Sequence, residues 1–246
     1  MDELRLIPVR GVPEIRAGED VAKLLAPLLA RLARPGDVLV VTHKVLSKAE
    51  GRLVDLTEVQ PSALAESHAR AWGKDPRQVE VVLRESGSIL RMEGPVIISR
   101  TRHGLVCANA GVDKSNVPGQ AVCLLPEDPD ASAGRLYQAL EAALGFSLPV
   151  VISDSFGRPW RLGIVNVAIG LAGMAPFTDH RGRTDAHGYR LEASLMATAD
   201  AVAAAAELVM GKTDGVPAAL VRGLELSGST GCAAELIRPG EQDLFR

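Results

Sequence analysis

The chain has 246 residues and a mass of 25.9 kDa, enough for one and a half domains at ~150 residues each, which excludes a long multi-domain assembly. Apolar residues make up 47% and charged residues 23%, a balance that excludes intrinsic disorder and collagen-like repeats. A net charge of −3 and only 3% aromatics exclude a basic nucleic-acid footprint and a surface of stacked rings.

Leu4 to Val9 reads as a short strand ending in a Gly-Val-Pro turn. Residues 19–33 put Val21, Leu24, Leu25, Leu28, Leu29 and Leu32 on one helical face. Pro27 interrupts that helix, and Pro35-Gly36 stops it. Asp37 to Thr42 is a continuous apolar strand of the kind covered on both faces. Two helices follow over 61–72 and 76–86, the second with Asp75 as N-cap and Pro76 at its first position. Val96 to Thr101 and Leu105 to Ala108 form a hairpin around His103-Gly104, and Ala121 to Leu125 is a further strand.

An acidic loop, Pro126 to Ala133, leads into a helix over 132–144. Pro149 to Ser153 is a strand that gives way to a polar cluster, and 163–170 is another strand. Residues 171–191 read as a Gly/Pro/His/Arg-rich loop with short segments. Ala193 to Met210 is a long Ala-rich helix stopped by Gly211, and Pro217 to Val221 is the last strand. Helix–strand alternation of this kind predicts a mixed α/β (α+β) fold.

The N-terminus lacks the basic start and apolar centre of a signal peptide. The longest apolar stretch, Val167 to Phe177, falls short of the ~20 residues that span a bilayer. A soluble cytoplasmic protein without membrane or nucleic-acid partners is expected. The three cysteines, Cys107, Cys123 and Cys232, form no C-x-x-C pair, so they read as free thiols rather than a disulfide or zinc framework. Cys232 as a nucleophile has no marked histidine partner. His103 is expected to serve its turn, while His180 and His187 sit where they can touch substrate.

Four polar clusters break the apolar pattern. Thr42 to Lys44 and Ser47 to Gly51 follow a strand, where α/β sheets bind ligands and where a lysine suits phosphate. The same residues also suit a solvated helix start. Asn109 to Asn116 combines small residues with Asp and Ser oxygens, or is a tight turn. Ser153 to Arg161 sets a carboxylate beside a hydroxyl, which suits Mg²⁺ or Mn²⁺. Arg158 and Arg161 in that cluster are candidates for binding acidic substrate groups. Met210 to Pro217 is a glycine loop with a lysine but is not a Walker A loop; a helix end followed by a turn is its plainer reading. Asp113 and Asp154, with Lys48 and Lys212, point together to metal-assisted nucleotide chemistry. No G-x-G-x-x-G follows a strand, and Ser155 is not in a G-x-S-x-G elbow.

Seven segments in order resemble the coenzyme F420:L-glutamate ligase (F420-0:gamma-glutamyl ligase) family. They are IPVRGVPEI, VVTHKVLSKAEGRLVDL, ANAGVDKSNVPG, VISDSFGRPWR, VAIGLAG, MGKTDGVP and ELIRPGEQDLFR. The resemblance covers the chain from residue 7 onward. It implies a GTP-dependent ligase that adds L-glutamate to coenzyme F420-0, first by an amide bond and then through γ-linkages, releasing GDP and phosphate. It further implies two Mg²⁺ or Mn²⁺ ions, assistance by K⁺, and two interlocked subdomains within residues 1–246 in an intertwined homodimer. The rival readings are a nucleotide-dependent ligase for another acid and a non-catalytic GTP-binding protein.

Carried over by motif, Val12, Pro13, Glu14, Ile15, His43, Lys44, Lys48 and Asn116 line the GTP site. Asp113 and Asp154 hold one metal, and Ser155 helps hold a second. Met210, Gly211, Lys212, Thr213, Asp214, Gly215, Val216 and Pro217 close over the nucleotide. Lys48, Asp113 and Asp154 are the catalytic candidates. Two departures stand out. Lys212 takes a place where some relatives carry a neutral metal-binding side chain. Leu162 to Asn166 is less polar than the related Gly-Gln-Thr-Asp form.

Overall fold

The computed structural model describes residues 3–226 and 228–243. The last three residues of the closing motif, Leu244, Phe245 and Arg246, lie outside them. Strand β1 (Arg5–Pro8) leads to helix α1 (Val21–Leu32), which Asp20 caps by accepting from the Lys23 N–H at 3.1 Å. Pro27 lies within α1 without ending it. Strand β2 (Val38–Thr42) runs directly into the short helix α2 (His43–Ala49). Strand β3 (Leu53–Asp55) is followed by α3 (Ala63–Trp72) and α4 (Pro76–Glu85). Then come β4 (Ser86–Arg91), β5 (Ile98–Thr101), β6 (Val106–Ala108) and β7 (Ala121–Cys123). Helix α5 (Pro129–Leu144) precedes the long hairpin of β8 (Val150–Arg158) and β9 (Arg161–Ala172). Two short strands, β10 (Thr178–Asp179) and β11 (Leu195–Met196), lead to α6 (Thr198–Met210) and β12 (Ala218–Arg222).

The main sheet has the order β1-β12-β2-β8-β9, with β2 and β8 parallel and the other neighbours antiparallel. Alternation along the strands divides its side chains between two faces. Leu39, Val41, Val150, Ile152 and Leu220 pack with Leu25 and Leu29 of α1 and with Leu136 and Leu140 of α5. Val38, Val40, Val151, Ala219 and Val221 pack with Ala199, Val202, Ala203 and Ala206 of α6. The alanines let α6 lie close to the sheet. Gly170 does the same on the other side: a Cβ there would overlap the Pro129 carbonyl of α5. A third core joins Leu56, Ala65, Val79, Val82, Ile97, Val112 and Val122, drawn from the chain between β3 and the residues after β7. This lobe carries the β3–β7 pair and the β4-β5-β6 sheet.

The mixed α/β class is as expected, and several boundaries differ. The helix expected to reach residue 86 ends at Glu85, and Ser86 opens β4, which pairs with β5. Helix α5 begins at Pro129, inside the expected acidic loop, because Asp128 caps it by accepting from the Ala131 N–H. The Ala-rich helix starts at Thr198, since Leu195 and Met196 pair with β10. The largest correction concerns Ser153 to Arg161. Ser153 to Arg158 stay in β8, and the chain turns at Pro159 and Trp160 before Arg161 opens β9. Partners on β9 from Ala168 to Arg161 keep β8 extended through Arg158, so pairing overrides the polar, turn-like composition.

No helix among the described residues is long and apolar enough to cross a membrane. Cys107 and Cys123 are buried and Cys232 is partly exposed, all three as free thiols. His103 does serve its turn, with Nδ1 3.3 Å from Thr101 Oγ1 and Nε2 2.9 Å from the Pro126 carbonyl.

Candidate functional site

A cleft of about 720 Å³ opens beside the ends of β2 and β8, within the size range of small-molecule sites. Its walls come from five separate stretches: residues 12–15, α2, residues 113–116, the β8–β9 hairpin and residues 210–217. The register of the parallel pair, with Thr42 opposite Ser153, sets Lys44 and Asp154 just past the same level of the sheet.

The α2 wall carries fixed cations. Lys44 Nζ donates to Asp113 Oδ2 at 2.6 Å, and to the carbonyl and Oγ of Ser115 at 3.0 and 2.6 Å. Burial pulls the Asp113 carboxyl upward, but the Lys44 and Ser115 hydrogen bonds overcome it and hold the group below its ordinary value. Lys48 is 9% exposed and pairs at 2.5 Å with Glu14, which is 72% exposed. A buried ammonium thus meets a carboxylate that is free to move into solvent.

Asp154 faces the cleft from β8. Its Oδ1 accepts from the Ser155 N–H at 2.7 Å. His43 lies behind it, fully buried, with Nε2 3.4 Å from Asp154 Oδ1 and Nδ1 3.1 Å from Ser47 Oγ. The Nε2 contact lacks hydrogen-bond geometry, which leaves that nitrogen unsatisfied. Burial pushes the His43 imidazole below its ordinary value, against the pull of Asp154.

The opposite wall is looser. Lys212 Nζ donates to Ser155 Oγ and stands 3.9 Å from Glu207 Oε1. Ser155 Oγ donates to Asn166 Oδ1 at 2.7 Å, and Glu207 Oε2 accepts the Asn166 N–H at 2.9 Å. The loop turns at Gly211, whose φ of +61° and ψ of −163° exclude other residues. A Cβ there would also strike the Asp214 carboxylate.

Most sequence-predicted residues meet in this cleft: Val12, Pro13, Glu14, Ile15, Lys44, Lys48, Asp113, Asn116, Asp154, Ser155, Met210, Gly211, Lys212, Thr213, Gly215, Val216 and Pro217 all line it. Six expected residues do not. His43 is buried behind Asp154, because α2 begins at that residue and turns the ring into the core. Asp214 folds back beneath Gly211. Arg158 and Arg161 sit at the far end of the hairpin, beyond the cleft lining, and Arg158 donates to the Leu162 carbonyl at 2.6 Å. His180 and His187 are likewise absent from the lining. Sequence reasoning missed Glu207, although it is the one charged residue in VAAAAELVM, a turn before the glycine loop.

The donor chemistry fits one hard divalent cation at Asp113 and Asp154, two carboxylates that both line the cleft. No group of three or more His, Cys, Asp or Glu residues arranged to hold a metal occurs among the described residues, so waters and phosphate oxygens would complete such a shell, as Mg²⁺ prefers.

The family profile described as F420-0:Gamma-glutamyl ligase matches residues 11–223. The chain belongs to this family. The coenzyme F420:L-glutamate ligase of Methanothermobacter thermautotrophicus is 45% identical to it over 249 residues, covering 99% of both chains. That of Methanopyrus kandleri is 46% identical over 99% of this chain and 98% of its own. That of Methanocaldococcus jannaschii is 38% identical over the same shares. Every wall of the cleft falls inside the matched span.

Proposed function

We propose that this protein is a GTP-dependent ligase that joins L-glutamate to the carboxylate of coenzyme F420-0 and extends the product through γ-linkages. The observation that carries this reading is the convergence of Lys44, Lys48 and Lys212 with Asp113 and Asp154 in one cleft. Near full-length similarity to relatives named coenzyme F420:L-glutamate ligase supports the choice of substrates. A carboxylate is a poor acylating agent, so the reaction needs activation. Transfer of the γ-phosphoryl group to the acceptor carboxylate forms an acyl phosphate and releases GDP. The glutamate amine then attacks the acyl carbon, the C–O bond to phosphate breaks, and the amine gives up a proton.

The residues divide this work. Lys48, already desolvated, offers a fixed positive charge to the phosphates when Glu14 yields its place. Lys44 holds the Asp113 carboxylate in position. The loop 210–217 covers the nucleotide and excludes water. A divalent ion held by Asp113 and Asp154 would offset charge on the phosphoryl group, with K⁺ as an accessory ion. We also propose a homodimer that covers the hairpin, where Leu162 is 96% exposed and Ile164 is exposed beside it.

The test is incubation of the purified protein with F420-0, L-glutamate, Mg²⁺ and either GTP or ATP, read by mass spectrometry. Products heavier by one or more glutamyl residues, with matching GDP release, are expected with GTP. Saturable GTP binding with no GDP formed would favour a non-catalytic nucleotide-binding protein instead. Sedimentation equilibrium tests the dimer, and exchange of K⁺ for Na⁺ tests the accessory ion.

A further inference from the structure

The second divalent ion implied by the resemblance does not fit this cleft, and the misfit is specific. Ser155, the residue expected to help hold it, already has both neighbours it needs. Its hydroxyl hydrogen goes to Asn166 Oδ1, and an oxygen lone pair receives Lys212 Nζ. The nearby carboxylate, Glu207, has Oε2 on the Asn166 N–H, and its Oε1 stands 3.9 Å from the Lys212 ammonium. A divalent ion at bonding distance from Ser155, ~2.1 Å for Mg²⁺, would stand against the ammonium that Ser155 Oγ accepts from. Like charges at such range repel, and more strongly at the lower effective dielectric of a cleft than in water.

We infer that Lys212 is a built-in cation, its ammonium replacing the second divalent ion, so that the cleft takes a single divalent ion at Asp113 and Asp154. This rests on the reading of the cleft as a metal-assisted nucleotide site. The chemistry differs from that of a metal in a defined way. An ammonium on a flexible stem places a single charge and donates hydrogen bonds, but it holds no fixed coordination shell. Lys212 is 53% exposed, so it can follow a phosphate group where a metal held by Ser155 would be fixed. Replacing it with glutamine removes the charge and supplies a neutral amide oxygen beside Ser155 and Glu207, a donor set that suits Mg²⁺ or Mn²⁺.

The experiment counts Mn²⁺ ions per chain by anomalous scattering from crystals of the full chain grown with MnCl₂ and GDP. The wild-type protein and Lys212→Gln are compared, with thermal melting to confirm that both are folded. One ion in the wild type and two in the variant are expected. Two ions in the wild type would overturn the inference. One ion in both would also overturn it, because Lys212 would then not be what keeps the second ion out. No ion in either would overturn it together with the metal reading of the cleft, whereas GTP-driven glutamyl transfer measured alongside reports separately on the ligase reading.

Discussion

The two walls of the cleft carry the same kinds of groups in opposite states. On the α2 wall, Lys48 is nearly buried and Lys44 is fixed by three hydrogen bonds to Asp113 and Ser115. On the hairpin wall, Lys212 is half exposed and held only by Ser155 and a distant Glu207. The first wall has met its ordering and desolvation costs during folding, so its ammonium groups stay in place for an incoming phosphate and only the exposed Glu14 has to move aside. The second wall retains side-chain freedom and can follow what binds. Preorganised charge is worth more to a transition state than mobile charge, so substitutions on the two walls should differ in size.

The two aspartates that line the cleft test the largest effect. Asp154→Ala and Asp113→Ala should each leave no detectable metal-dependent glutamyl transfer, while the melting temperature stays within a few degrees. Wild-type turnover in either variant would remove the metal role from that residue. Lys48→Ala comes next. Loss of one preorganised donor typically lowers kcat by ~10²–10³-fold, and steady-state kinetics should show that scale. A loss below tenfold would mean the buried wall is no stiffer than the exposed one. Arg158→Ala sits beyond the cleft and should change KM for the acceptor by no more than about twofold, close to the scale of a surface substitution. A tenfold rise would restore Arg158 to the substrate site.

The smallest effect separates the walls by reactivity. Burial pushes the Cys107 thiol up to about 12, with the negative charge of Asp154 adding to the shift. Burial raises Cys123 as well, although Lys44 and Lys48 pull against it. An aromatic disulfide reagent at pH 8 should therefore titrate one thiol, the partly exposed Cys232, in the folded protein and all three in denaturant. Fast labelling of a second thiol would show that the core behind α2 opens readily.

Much of this was legible in the residues. The strand 38–42, the helix capped by Asp75 and the glycine stop at 211 follow from periodicity and capping chemistry, which are local. The cleft itself was legible only because its residues fall in short polar runs after apolar strands. What the chain order hid was nonlocal. Composition could not reveal that β9 would hold Ser155 to Arg158 in a strand, since that depends on pairing with Asn166 to Arg161 across the turn. Nor could it separate His43 from Lys44: adjacent in sequence, they point into the core and into the cleft because a helix begins between strand and loop there. Glu207 was hidden for the converse reason, being a lone acid on a helix that otherwise reads as packing surface.

The pairing of β8 with β9 slips by one residue between Ile152 and Ser153, and again near the tip between Gly157 and Arg158. The first slip has a consequence for how the chain tolerates changes in length. Side chains alternate along a strand, so one residue inserted or deleted between Val150 and Ser155 would exchange the directions of Asp154 and Ser155. A carboxylate would then meet Lys212 and a hydroxyl would meet His43. Beyond the second slip, no residue of the cleft depends on register. Length variation should therefore accumulate at the tip around Pro159 to Leu162 and be absent a few residues earlier on the same strand.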